Sequence, residues 1–223
     1  MRCRASLVVV LAALAIVAAA SAADSTDPVI KISKADQAYA AKLVLRFNDL
    51  GPAWSGGAEK PTSLKIPVCP SNQPNDHDLT ITGHAESGLS LQSEAIRVDT
   101  DVLLFKSAHQ VATLVKRIIA APALSDCLRF DLVKSVGGQG VTIVGVSRMA
   151  VPKAGDHSAL YRVTLAVKSG ARTVPVYSDF LYVSQGRAQY FVNVVAPGAI
   201  RSALPSLESG IAKRLAAKAK GNR

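Results

Sequence analysis

No apolar stretch in this chain is long enough to cross a bilayer as a settled helix, which takes about 20 consecutive apolar residues. The run Leu7–Ala20 falls short of that. Cysteine is scarce, with three among 223 residues. None forms a Cys-x-x-Cys pair, so the usual means of tuning a redox thiol is missing. There is no His-x-x-x-His or His-Glu-x-x-His, the helical spacings that place two imidazoles on one metal. No Gly-x-Ser-x-Gly elbow occurs; Gly83-His84-Ala85-Glu86-Ser87-Gly88 is a near miss with the wrong spacing. Gly137-Gly138-Gln139-Gly140 follows a helix-like segment and precedes a strand-like one. That is the reverse of the order a phosphate loop needs. Internal repeats and low-complexity linkers are absent as well. Aromatic residues make up only 5%, and Trp54 is the sole tryptophan.

The N-terminus has a definite layout. Arg2 and Arg4 precede the apolar run, and Ser21, Ala22 and Ala23 follow it as small residues before Asp24. This pattern predicts a secretory signal peptide over residues 1–23, cleaved after Ala22 or Ala23, with retention as an anchor the alternative. The expected location is therefore secreted or extracytoplasmic, in the cell envelope. Residues 24–223 are expected to form a single α+β extracellular domain, with no transmembrane segment in the mature chain. Cys3 departs with the leader. Cys69 and Cys127 remain, and two cysteines in an exported chain predict one disulfide. Closing so long a loop stabilises by about 4 kcal/mol on the chain-entropy view.

The formal charge is +10. A basic exported protein suits an anionic envelope surface rather than nucleic acid. The densest basic group is Lys213, Arg214, Lys218, Lys220 and Arg223, near the C-terminus.

Hydrophobic spacing then orders the mature chain. Ser33 reads as a helix cap with Asp36 in the capping-box position, and Tyr39, Leu43, Val44 and Phe47 predict a helix reaching Asn48. Residues 51–75, rich in Gly, Pro, Ser and Asn, predict an irregular loop. Leu79–Thr82 and Glu94–Phe105 alternate as strands. Ser107 caps a second helix that Pro122 ends, and a third helix holds Leu124, Cys127, Leu128 and Leu132 up to a stop at Gly137-Gly138. Four strands, about 141–151, 158–168, 172–183 and 187–196, form a meander. A helix from Ala203 to Ala219 carries Pro205 in its first turn. The order predicts an antiparallel sheet of about five to six strands, with helices packed mainly on one face and a C-terminal helix.

Chemistry is offered mainly by the strands. Arg97, Asp99, Arg148, Arg162, Asp179 and Asn193 alternate with apolar neighbours, and Tyr161, Tyr177, Tyr182 and Tyr190 lie among them. Basic groups beside aromatic bodies suit a small anionic or amphipathic ligand in a shallow groove. Arg97, Arg148, Arg162, Tyr177 and Asp179 are the expected groove residues. An ordinary solvated sheet face with cross-strand charge pairs is the plainer reading. His77 and His84 lie near Asp76, Asp78 and Glu86, a mixed set conceivable for zinc. The seven-residue separation of the histidines favours a polar turn leading into a strand, so neither metal nor cofactor is expected. Trp54, in a glycine-rich loop, is expected to plug the core edge.

Several segments together resemble a known group. They are DLGPAW (Asp49–Trp54), DLTITGHAES (Asp78–Ser87), LLFKSAHQVATLV, ALSDCL and VPVYSDFLYVSQGRAQYFV, with one cysteine in a loop and one in a helix. The pattern resembles alanine-rich secreted sensor-domain-like proteins of actinobacteria. It is also similar, more distantly, to the extracellular sensor domain of the mycobacterial kinase PknH, though with one cysteine pair rather than two. The resemblance implies an α+β domain with a ligand cleft, and it supplies no catalytic residue. The expected function is a non-catalytic binding domain for an amphipathic or anionic envelope ligand. The alternatives are a structural protein held to the anionic envelope by its basic terminal helix, and an unrecognised hydrolase.

Overall fold

The computed structural model describes residues 27–62, 74–136 and 140–221. The expected leader, Cys69 and the Gly137-Gly138 stop lie outside the described residues.

Helix α1 (Lys34–Leu43) is capped as its sequence suggests, with Ser33 Oγ accepting from the Asp36 amide at 3.0 Å. The Asp36 carboxylate does not complete a capping box; it holds Arg187 at 2.7 Å. The helix stops before Asn48 because Val44 turns extended, and Val44 and Leu45 bury themselves in that link. A separate single turn, α2 (Phe47–Leu50), follows, with the Arg46 amide donating to Asp49 at 2.7 Å. Trp54 is buried in the adjoining core, as expected of a plug.

The long loop contains a strand. β1 (Val29–Ile30) and β2 (Ser55–Glu59) both lie beside β3 (Thr80–Leu91). Gly56 has φ +111°, and a Cβ there would collide with the Gly88 carbonyl oxygen. Only glycine lets β2 approach so closely, and glycine also erases the alternation that marks a strand. β4 (Ile96–Phe105) leads to α3 (Ala108–Leu114), capped by Ser107 Oγ at 3.3 Å from the Gln110 amide. The helix then widens into a π-helical turn, Val115–Ile119, in which the Ala120 amide reaches back to the Val115 carbonyl at 2.8 Å. After Pro122 comes α4 (Leu124–Val136). The meander β5 (Val141–Met149), β6 (His157–Ser169), β7 (Arg172–Gln185) and β8 (Ala188–Pro197) follows. A 3-10 turn and α5 (Leu204–Gly221) end the fold, with Pro205 in the first turn.

The strand order is β1-β3-β4-β8-β7-β6-β5, with β2 also on β3. All pairs are antiparallel except β1 with β3, which is parallel. The architecture is α+β, but the sheet has eight strands and is mixed, rather than five to six and antiparallel. The two extra strands are one very short and one glycine-rich.

The helices also divide between both faces, not mainly one. On one face α1 and α5 cover Val98, Val102 and Leu104 of β4 and Tyr190, Val192 and Val194 of β8. On the other, α3, the π-turn and α4 cover Leu103, Phe105, Tyr161 and Tyr182. A further apolar patch there joins Val163, Leu165 and Val195. Strands apolar on both sides need cover on both sides, since each exposed face would leave large side chains in water.

Candidate functional site: a pocket beside the π-turn

The five expected groove residues do not share a groove. Arg162 and Asp179 stand opposite one another on β6 and β7, on the face beneath α5. Arg162 Nε and Nη2 donate to the two Asp179 oxygens at 2.8 and 2.6 Å, and Nη2 also donates to Glu208 at 3.2 Å. Tyr177 lies under the guanidinium at 4.8 Å. All four side chains are buried, so this group joins α5 to the sheet and offers no open surface. Burial, first, and a hydrogen bond with Asp179 push the Glu208 carboxyl up to about 9. The sequence reading expects these residues in a ligand groove, whereas the structure buries them between α5 and the sheet. Their burial follows from α5 lying over them, which strand phase alone does not reveal.

Arg97 and Arg148 project from the opposite face. Arg97 is held by Asp99 at 2.7 Å and Glu59 at 3.2 Å. Arg148 is on β5, four strands away along the order β4-β8-β7-β6-β5, which is roughly 19 Å across the sheet. The two arginines therefore cannot grip one small ligand. The set around His77 is also divided. Asp76 and Asp78 are committed to Arg117 at 3.2 and 2.6 Å, whereas His84 meets Glu86 and Asp101.

Arg148 does line a pocket, of about 130 Å³. Its floor is the sheet: His157 and Ala159 of β6, Tyr182 and Ser184 of β7, and Gln189 of β8. Its apolar wall is Val115, Ile119 and Ala120 from the π-turn and the residue after it. π-turns recur at functional sites because the widened coil re-aims carbonyls and side chains. Here the Ile119 carbonyl accepts from the Tyr161 hydroxyl at 3.1 Å, which ties the turn to the sheet. Tyr161 and Tyr182 meet edge to face at 6.2 Å, and the Arg148 guanidinium lies 5.9 Å over the Tyr161 ring.

Two residues that line this pocket each carry a buried polar atom without a hydrogen-bond partner. The Gln189 amide nitrogen donates to the Val183 and Tyr190 carbonyls at 3.2 and 2.9 Å, which fixes the side chain. Its Oε1 is buried and accepts nothing, and Ser184 Oγ is buried without a hydrogen bond. Leaving such groups unmet costs about 1–3 kcal/mol each. The pocket is thus lined by Gln189, Ser184 and Arg148 beside an apolar wall. Sequence reasoning chose Arg148 but missed Ser184 and Gln189. Both are polar residues in otherwise apolar strands, and that was their only available signal.

No family model, curated protein or solved structure matches this chain.

Proposed function

We propose that this chain is an exported, non-catalytic binding domain whose pocket holds the polar head of a small amphipathic ligand. The unpartnered Gln189 Oε1 and Ser184 Oγ of the pocket lining carry this reading. A ligand that donates to Gln189, exchanges a hydrogen bond with Ser184 and presents an anionic or carbonyl oxygen to Arg148 would satisfy all three. The volume suits a fragment about the size of benzene, which a 150 Å³ cavity accommodates. A longer apolar tail would run along Val115 and Ile119. The leader layout supports a ligand of the cell envelope, as does the resemblance to secreted sensor-domain-like proteins.

Native mass spectrometry of protein recovered from the envelope of the producing cell tests this. A bound small molecule is expected in the parent and its loss in Arg148→Ala, a change at an exposed residue. Ligand-free mass in both proteins would end the proposal.

A second reading rests on α5. Lys213, Arg214 and Lys220 are exposed on its outer side, whereas Lys218 turns inward to Asp49 at 2.7 Å. A basic outer face suits an anionic envelope surface. Salt-sensitive sedimentation with anionic vesicles, abolished by neutralising those three residues, would support it.

A further inference from the structure

A second polar cluster lies on the face that carries the pocket, but two strands away from Gln189. His84 and Glu86 are two residues apart on β3, so both side chains point to one side of the sheet. Asp101 of β4 is the direct cross-strand partner of Glu86. His84 Nε2 lies 3.0 Å from Asp101 Oδ1 and 3.2 Å from Glu86 Oε1. Among the described residues this is the one group of three or more histidine, cysteine or acidic side chains with ligating atoms this close.

We propose that His84, Glu86 and Asp101 bind a divalent transition-metal ion of the zinc class. Four observations meet here. The His84 side chain is only 5% exposed, and its buried Nε2 faces both carboxylates without a well-formed hydrogen bond to either. Asp101 Oδ1 is likewise buried without a hydrogen bond. A cation held between these two buried atoms would satisfy both at once. The spacing fits one: tetrahedral zinc with bonds of about 2.0–2.1 Å sets neighbouring ligand atoms about 3.3 Å apart.

The surroundings hold the ligands in place. The Gln37 side chain donates to the His84 carbonyl at 2.6 Å and accepts from its amide at 3.3 Å, fixing the backbone. Glu86 Oε1 accepts from the Thr62 amide and hydroxyl at 2.8 and 3.0 Å. Such outer contacts orient ligands and tune affinity.

The charge is also appropriate. Glu59, Glu86, Asp99 and Asp101 share this end of the face with one guanidinium, Arg97, on a chain of net charge +10. The Asp101 side chain remains 37% exposed, which gives an ion a way in and leaves room for a bound water. One imidazole and two carboxylates favour zinc over calcium or magnesium, which take all-oxygen shells.

The test uses untagged full-length protein, stripped with chelator and titrated with Zn²⁺ by calorimetry, with bound metal counted by elemental analysis. One equivalent is expected, weakened at least tenfold by Asp101→Asn and by Glu86→Gln, in proteins whose circular dichroism is unchanged. Bound Co²⁺ is expected to show the visible absorption of a four-coordinate site, and His84→Gln to abolish it. Millimolar Mg²⁺ or Ca²⁺ should not compete. Substoichiometric zinc, undiminished binding in Asp101→Asn, or equal binding of Ca²⁺ would each overturn the site. None of these readouts depends on the ligand pocket.

Discussion

Arg162 and Asp179 face each other across β6 and β7 and share two parallel hydrogen bonds, of 2.8 and 2.6 Å. Glu208 of α5 adds a second carboxyl group to the same guanidinium. The three residues fasten the terminal helix to the sheet in a place that water does not reach.

Removal of the arginine strands two acids. Arg162→Ala is expected to cost about 3–5 kcal/mol, the usual penalty for breaking a buried pair from one side. Arg162→Lys should recover only part, because an ammonium cannot make the two-pronged contact. Replacing all three residues by apolar ones of similar volume should restore most of the stability. Urea unfolding monitored at Trp54 measures each variant. A loss below about 1 kcal/mol for Arg162→Ala would show the fork to be unimportant.

Glu208 gives the fold a pH dependence of defined sign. Its folded pKa, about 9, lies above the ordinary carboxylate value, so the folded chain binds the extra proton. Its contribution is complete below about pH 4.5 and is lost as pH rises toward 9, by at most about 1.4 kcal/mol per unit. Glu208→Gln cannot ionise and should flatten this decline. Parallel slopes for parent and variant between pH 5 and 8.5 would contradict the assignment.

Tyr190 is fully buried, and its hydroxyl has no hydrogen-bond partner. Burial pushes its phenol far above the ordinary value. Tyr190→Phe deletes an unmet polar atom without opening a large hole. It is expected to stabilise by about 1 kcal/mol, seen as a raised melting temperature. A loss of similar size would mean the hydroxyl is satisfied in solution.

We propose that Cys127, buried on α4, pairs with Cys69 in the exported protein. Intact mass should shift by two hydrogens on reduction, and reduction should cost about 2–4 kcal/mol. The same spectrum should show a chain beginning at Ala23 or Asp24. Two free thiols in protein collected outside the cell would remove the pairing.

Local signals were legible where one residue type determines the outcome. Ser33 and Ser107 cap their helices, Pro122 separates α3 from α4, and Val98, Val102 and Leu104 alternate as β4 requires. β2 was hidden because Gly56 and Gly57 carry no side chain to reveal a period. β3 was read short because His84, Glu86 and Ser87 look like turn chemistry, although both neighbouring strands bury much of that segment. The division of helices between two faces depends on which strands become neighbours, and pairing β4 with β8 is a long-range choice. The proposed metal cluster was half visible. His84 and Glu86 stand at strand spacing, which carries no metal signal of its own, unlike the helical His-x-x-x-His. Asp101 joins them only through the β3–β4 register.

The Gln37 amide occupies the border of β3 between the stretches paired with β1 and β2, satisfying backbone groups there as a neighbouring strand would. At His84 the β3 edge is therefore closed to strand addition. The opposite border, β5, carries an irregularity between Ile143 and Gly145 that bends it away from a flat template. Both stretches are thus poor templates for a further strand, one of them because of a single glutamine.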